Sequence, residues 1–248
     1  MSSPFETPLE PLVDGVIWVK KYPIHYGGID LYARTTVVRL ADGRLWIHSP
    51  GPLDGQDGPA LLAALAELGE VAHIVAPGNF HHLHVAAWQR AFPGALTHAC
   101  PGVERKQPGL AIDWFLGDRA PAAWADEIDQ VLIRGNWLIW EVVFLHRPTR
   151  TLILTDLVEI IRRDEPGIGW LTRFVWMTIF RLWREPMPAP EYKIAWRDRP
   201  AARRSLRRVL EWDFERAIIA HGEVIEADAA GVCRRAWASL LGPEDAPR

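Results

Sequence analysis

Three apolar runs in this chain end in a residue that can bind a metal ion. "EVVFLH" ends at His146, "TLILTD" ends at Asp156, and "AIIAH" ends at His221. In α/β proteins the end of a buried strand is a common place for a functional site, because the strand anchors the residue and the following loop opens to solvent. The runs therefore predict an α/β fold with a metal site built from strand ends.

A fourth apolar run leads into a turn that is rich in histidine. Residues 74–88 read "IVAPGNFHHLHVAAW", and the turn places three of the chain's nine histidines at 81, 82 and 84. Neighbouring residues of an α-helix point about 100° apart, so adjacent histidines can share one metal only where the chain is not yet helical. We therefore predict that His81 and His82 precede the helix, and that the rival helical pair His81 and His84 is not the ligand pair.

The remaining pattern predicts two sheets covered by helices within a single domain. Residues 30–40 and 44–50 alternate between apolar and polar residues around Asp42-Gly43, which is typical of a hairpin. Nearly continuous apolar runs predict buried strands. Helical patterns predict helices at 60–69, at roughly 82–92, at 168–184 and 198–212, and near the carboxyl end.

Composition excludes some classes of function. The net charge of −3 leaves no overall basic field for a general nucleic-acid binder. Cys100 and Cys233 are far apart in the sequence and form no C-x-x-C pair, which favours a reducing compartment. The first residues, "MSSPFETPLEPLVDG", contain no signal-peptide pattern, so we expect a cytoplasmic protein.

The order of these residues resembles the pattern of the metallo-β-lactamase-fold superfamily over about residues 14–240. That pattern has an H-x-H-x-D-H turn, then a His, an Asp, and a final His that is followed by Gly or a similar turn. Here the turn reads "P-G-N-F-H-H", which is similar to a divergent domain-of-unknown-function branch with N-x-H-H. The direct matches are His82, His146, Asp156 and His221-Gly222. The resemblance implies a four-layer αββα sandwich, in which helices flank two mixed sheets.

The departures from the pattern alter the site that the resemblance implies. Pro77 and Asn79 stand where the first two turn histidines would be, and His81 stands where the Asp would be. We therefore expect one metal ion per chain rather than two, with zinc as the first choice and iron as the alternative. The expected metal ligands are His81, His82, Asp156 and His221, with His146 as an outer or variable ligand. His48, Asn79 and His84 are expected around them.

This site implies a metal-dependent hydrolase that acts on an ester, lactone or thioester of a small molecule, with His81 and Asp156 in catalytic roles. One alternative is an iron-dependent redox enzyme on the same fold. Another is a degenerate protein that binds a lipid or a protein and has no activity.

The segment 168–184, "IGWLTRFVWMTIFRLWR", predicts an apolar helical insertion. Trp176, Phe180 and Trp183 follow helical spacing and are expected to line the substrate site. A peripheral membrane surface or an oligomer partner is the alternative to that role, since the helix is apolar on two sides.

Overall fold

The computed structural model describes residues 7–26, 29–55, 57–160, 169–172, 174, 178 and 185–242. The chain divides into two compact units. The first consists of Met1–Pro23 and Ala33–Leu116, and the second of Ile24–Tyr32 and Gly117–Arg248. The predicted substrate-lining residues Trp176, Phe180 and Trp183 lie outside the described residues.

The first unit contains most of a seven-stranded mixed sheet, whose strands follow one another in chain order. The strands are β1 Glu10–Val13, β2 Ile17–Tyr26, β3 Ile29–Arg39, β4 Leu45–His48, β5 Val71–Ala76, β6 Leu96–Ala99 and β7 Trp114–Phe115. The pairs β1–β2 and β3–β4 are antiparallel, whereas β4 to β7 run parallel. The predicted hairpin is present as β3 and β4, and Gly43 in its turn has a φ of 84°.

Helices connect the parallel strands of this sheet. They are α1 Gly58–Leu68, α2 Val85–Ala91 and α3 Val103–Lys106. Strand β5 is buried along its whole length, as its continuous apolar sequence predicts, and α2 packs against it. Trp88 of α2 is fully buried and donates a hydrogen bond from its indole nitrogen to the carbonyl oxygen of Gly51 at 2.7 Å. This packing fixes the start of α2, and therefore the turn that precedes it.

The second unit contains a four-stranded mixed sheet in the order β11-β10-β9-β8. The strands are β8 Ile128–Ile133, β9 Glu141–His146, β10 Thr151–Ile153 and β11 Arg216–Ile218. Strands β8, β9 and β10 are antiparallel neighbours, and β11 runs parallel to β10. Strands β9 and β10 form a hairpin through residues 147–150, "RPTR".

The helices of the second unit are α4 Trp170–Thr172, α5 Pro190–Ile194, α6 Arg199–Leu210 and α7 Ala229–Trp237. Helix α6 begins with Asp198, whose side chain accepts a hydrogen bond from the amide of Ala201 at 2.9 Å. It packs against β8 and α7. Both sheets of the chain are thus mixed and carry helices, as the sequence predicts. Among the described residues, no helix has the length and apolar character that a membrane span requires.

Candidate metal centre

The histidine turn of the first unit lies between β5 and α2, outside the helix. The amide of His81 closes a turn on the carbonyl oxygen of Gly78 at 3.1 Å, and α2 begins only at Val85. The side chain of His81 is partly exposed, whereas that of His82 is 6% exposed. Burial, followed by the charges of Lys106 and His81, lowers the pKa of His82 to about 4, so its imidazole is neutral at physiological pH.

Ser49 fixes the orientation of His81. A hydrogen bond of 2.8 Å joins the Ser49 hydroxyl to Nδ1 of His81. Ser49 follows β4 with a φ of 52°, a left-handed conformation that is uncommon for a residue with a Cβ. Its amide donates to Val75, and its carbonyl oxygen accepts from the Thr35 hydroxyl at 3.0 Å. This anchored serine is hydrogen-bonded to Nδ1 of His81, so Nε2 is the ring nitrogen directed away from Ser49.

The other predicted residues of the first unit surround the turn. His48 is buried at the end of β4 and stacks on Trp46 at a centroid distance of 5.5 Å. Burial, followed by the charge of His81, holds the pKa of His48 well below its usual value. Asn79 is 7% exposed, and His84 is the residue at the N-cap position of α2, with its ring nearly perpendicular to that of Tyr22.

The second unit brings Asp156 and His221 together. Nε2 of His221 lies 3.2 Å from Oδ1 of Asp156, and both side chains are almost completely buried. Nδ1 of His221 donates a hydrogen bond of 2.7 Å to the carbonyl oxygen of Tyr32, so its Nε2 is the atom directed at the carboxylate. Burial opposes protonation, but the hydrogen bond to Asp156 and the charges of Glu159 and Asp156 raise the pKa of His221 to about 9.

Gly222 allows the chain to turn directly after His221. Its φ is 130°, and an added Cβ would lie 2.2 Å from the carbonyl oxygen of Ile160. The amide of Ile160 in turn donates to the carbonyl oxygen of His221 at 3.2 Å. The His-Gly pair therefore places His221 beside the chain segment that follows Asp156.

Strand direction separates His146 from this pair. Strands β9 and β10 are antiparallel, with His146 opposite Thr151 and Phe144 opposite Ile153. His146 thus lies at the hairpin end of β9, about 16 Å along the strand from Glu141, at the strand rise of about 3.3 Å per residue. Its Nδ1 is hydrogen-bonded to the Thr149 hydroxyl at 2.8 Å. We therefore leave His146 out of the ligand set proposed below.

Two buried glutamates near Asp156 were missed by the sequence reasoning. Glu141, at the start of β9, accepts hydrogen bonds from the amides of Thr155 and Asp156 at 2.5 and 3.1 Å. Burial raises the pKa of Glu159 to about 8, although the charge of His221 opposes that rise. For Glu141, the sequence contained a signal, which is a single acidic residue within the otherwise apolar run "WLIWEVVFLH".

Comparison with solved structures identifies the fold. The metallo-β-lactamase DIM-1 superposes with a TM-score of 0.62 at 14% identity, covering 93% of this chain and 96% of that chain. The metallo-β-lactamase IND-7 has a TM-score of 0.60 at 13% identity, with coverages of 94% and 96%. A metallo-β-lactamase from Pontibacter korlensis has a TM-score of 0.56 at 11% identity, with coverages of 94% and 98%.

Comparison by sequence identifies the family. No curated protein matches the chain. Residues 15–179 match a family described as a domain of unknown function, DUF4336. This match spans more than half of the 248 residues, so the protein belongs to the DUF4336 family, and it has the metallo-β-lactamase fold.

Proposed function

We propose that the protein is a metal-dependent hydrolase that cleaves an ester, lactone or thioester of a small molecule. His81, Asp156 and His221 are the protein ligands in this proposal, and the ion is one zinc per chain. Two imidazoles and one carboxylate form a donor set typical of catalytic zinc.

The observation that carries the proposal is the separation of Asp156 and His221. Zinc bonds of 2.0–2.2 Å in a tetrahedral arrangement place two ligand atoms about 3.4 Å apart. Nε2 of His221 and Oδ1 of Asp156 lie 3.2 Å apart, so the pair has the spacing of two ligands of one ion. Because Nδ1 of His221 is committed to Tyr32, the atom that faces the carboxylate is the one that a metal would take.

His81, like His221, has a hydrogen-bond partner at Nδ1. Metal-binding histidines usually give their second ring nitrogen to a carbonyl, hydroxyl or carboxylate partner, which fixes the ring. The Ser49 hydroxyl provides that partner at Nδ1 of His81, as the Tyr32 carbonyl oxygen does at Nδ1 of His221. His82 is buried, and its Nδ1 has no hydrogen-bond partner among the described residues, so we place it beside the ligand set rather than in it.

Three protein ligands leave an open coordination position, which distinguishes a catalytic zinc site from a structural one. A zinc ion bound there would polarise a carbonyl group and lower the pKa of a coordinated water towards about 7. The task of the chain is to hold the ligands: Ser49 and Tyr32 orient the two imidazoles, and Gly222 fixes the loop that carries His221.

A single metal favours carboxylic acid derivatives over phosphodiesters. Centres with two metals stabilise both the attacking and the leaving oxygen, and a mononuclear centre lacks that second contribution. Pro77 has no donor atom in its side chain and Asn79 is a poor ligand, so the turn offers little for a second ion. Activated carbonyl compounds such as lactones and thioesters need less assistance at the leaving group.

The test is metal analysis combined with a substrate panel. Protein purified without added metal should contain about one zinc per chain and should hydrolyse an aryl ester, a γ-lactone or an acyl thioester. Asp156→Ala should lose both metal and activity, whereas Asp129→Asn, which disturbs an ion pair with Arg147 in the same unit, should keep both. Bound iron would favour the redox alternative. A protein that binds no zinc when zinc is supplied would overturn the proposal.

A further inference from the structure

Glu141 is a fully buried carboxylate that binds two consecutive backbone amides. It is 0% exposed, at the start of β9. Oε1 accepts from the amide of Thr155 at 2.5 Å, and Oε2 accepts from the amide of Asp156 at 3.1 Å. The hydroxyl of Tyr192 donates to the same Oε2 at 3.4 Å. One side chain thus holds the peptide units on both sides of the Thr155 α-carbon.

The position of Glu141 follows from the sheet register. Ile153, the last residue of β10, pairs with Phe144, so the chain beyond Ile153 continues towards the start of β9. The next amide, of Leu154, turns to the carbonyl oxygen of Ile218 on β11 at 3.0 Å. The two amides after it point to the Glu141 carboxylate, which replaces the backbone acceptors of a continued ladder.

A buried carboxylate is a costly way to satisfy two amides. Removing a carboxyl group from water is expensive, and a backbone carbonyl or a water molecule could accept the same bonds. The side chain has a different advantage, because its two oxygens share one rigid plane and accept from both amides at once, which fixes their geometry. The arrangement therefore favours precise placement of residues 155 and 156 over stability.

We propose that Glu141 is a positioning residue that fixes the direction in which Asp156 presents its carboxylate to His221. This role rests on the proposed function, in which Asp156 is a metal ligand. If the hydrogen bonds from the two amides to Glu141 are weakened, the Asp156 side chain moves relative to Nε2 of His221. Replacing a partner that orients a metal ligand typically costs about 10–100-fold in metal affinity.

Glu141→Gln is the variant that tests this role. The glutamine keeps the size of the side chain, but its NH₂ group must face one of the two amide donors, so one hydrogen bond is lost. We expect zinc affinity, measured by competition with a chromophoric chelator, to fall about 10–100-fold. We also expect the visible spectrum of the cobalt-substituted protein to change, and the amides of residues 155 and 156 to exchange faster in the metal-free protein.

Glu159→Gln is the matched control. It removes a second buried carboxyl group near His221 without removing an acceptor from the amides of Thr155 and Asp156. Loss of charge can weaken zinc binding in this variant, but we expect the cobalt spectrum and the exchange of the two amides to stay as in the wild type. A control that reproduces both changes would overturn the positioning role, because charge alone would then explain them.

The remaining outcomes separate this inference from the proposed function. Wild-type affinity, spectrum and exchange in Glu141→Gln would overturn the inference, and loss of metal in Asp156→Ala would leave the function standing. If the wild type binds no metal, the proposed function is wrong. In that case, unchanged hydrogen exchange of the amides of residues 155 and 156 in Glu141→Gln would overturn the inference as well. Should Glu141→Gln not fold, Tyr192→Phe removes the hydroxyl that orients Oε2. Tyr192→Phe should then lower zinc affinity by a smaller factor, and wild-type affinity would contradict the role.

Discussion

Nε2 of His221 lies 3.2 Å from Oδ1 of Asp156, although 64 residues separate the two in the sequence. The parallel pairing of β10 with β11 brings them together, because Ile153 is opposite Ile218 and each candidate ligand follows its strand by three residues. The segments that follow β10 and β11 therefore leave the sheet at the same edge. This relationship gives the second unit two ligand atoms at the spacing that one metal ion requires.

His221→Ala should remove metal binding, whereas His146→Ala should not. His221 directs Nε2 at Asp156, but His146 lies at the hairpin end of β9 and is hydrogen-bonded to Thr149. Loss of one of three zinc ligands should lower affinity by at least about 100-fold, since even partners outside the ligand set contribute up to that factor. Zinc content after dialysis against a weak chelator measures the difference. Equal metal content in the two variants would show that the ligand set is incorrect.

Ser49→Ala should weaken zinc binding without unfolding the protein. The hydroxyl holds Nδ1 of His81 at 2.8 Å, and its loss frees the imidazole to rotate. We expect a decrease in affinity of about tenfold or more. Ser205→Ala is the matched control, because its buried hydroxyl donates to the carbonyl oxygen of Ala201 within α6. If both variants keep wild-type affinity in chelator competition, Ser49 does not orient a ligand.

Gly222→Ala should be strongly destabilising. The alanine Cβ would lie 2.2 Å from the carbonyl oxygen of Ile160, at a φ of 130° that L-residues rarely adopt. Backbone strain of this kind costs about 1–3 kcal/mol, and the clash adds to it. Urea unfolding gives the change in free energy, with Gly94→Ala as the control because an added Cβ there meets nothing within 4 Å. A loss below about 1 kcal/mol in Gly222→Ala would contradict the strain argument.

The sequence was sufficient to predict the parts of the fold that depend on local pattern. Asp42-Gly43 between two alternating runs predicts the β3–β4 hairpin, and the structure contains it. The adjacent pair His81 and His82 implies a turn before the helix, and α2 begins at Val85. These features depend on periodicity and turn chemistry, which a single sequence displays directly.

Strand direction decides whether residues at strand ends lie together, and the sequence alone does not show it. His146, Asp156 and His221 all follow apolar runs, so the sequence predicts that they share one site. The carboxyl ends of β10 and β11 meet because these strands are parallel, but β9 is antiparallel to β10, so its carboxyl end lies at the opposite edge. Only the pairing of strands distant in the sequence reveals this, and no local pattern encodes it.

Glu141 shows a second limit of the sequence. A single glutamate within an apolar strand predicts that a carboxylate is buried, but not what it binds. Its partners, the amides of Thr155 and Asp156, are set by the register of β9 against β10 and by the departure of Leu154 towards β11. Both depend on tertiary packing.

His73 and His98 form a buried pair in the first unit, on the neighbouring strands β5 and β6. Nδ1 of His73 lies 3.2 Å from Nε2 of His98, and each residue is 1% exposed. Burial lowers the pKa of His73 to about 4, with the charge of Arg44 adding to the effect. Burial, followed by the charge of His73, lowers the pKa of His98 to about 3. Both imidazoles are therefore neutral in the folded protein at neutral pH.

This pair should make the protein sensitive to acid. Between about pH 6.5 and pH 4 the unfolded chain binds protons at both histidines while the folded chain does not, so stability falls as pH falls. Each histidine contributes up to about 1.4 kcal/mol per pH unit in that range. His98→Leu should therefore make the dependence of unfolding free energy on pH shallower by up to that slope, as measured by urea unfolding of metal-free protein. Gly94→Ala, which changes no titratable group and adds a Cβ that meets nothing within 4 Å, should leave the slope unchanged. An unchanged slope in His98→Leu would mean that His98 is already protonated in the folded state.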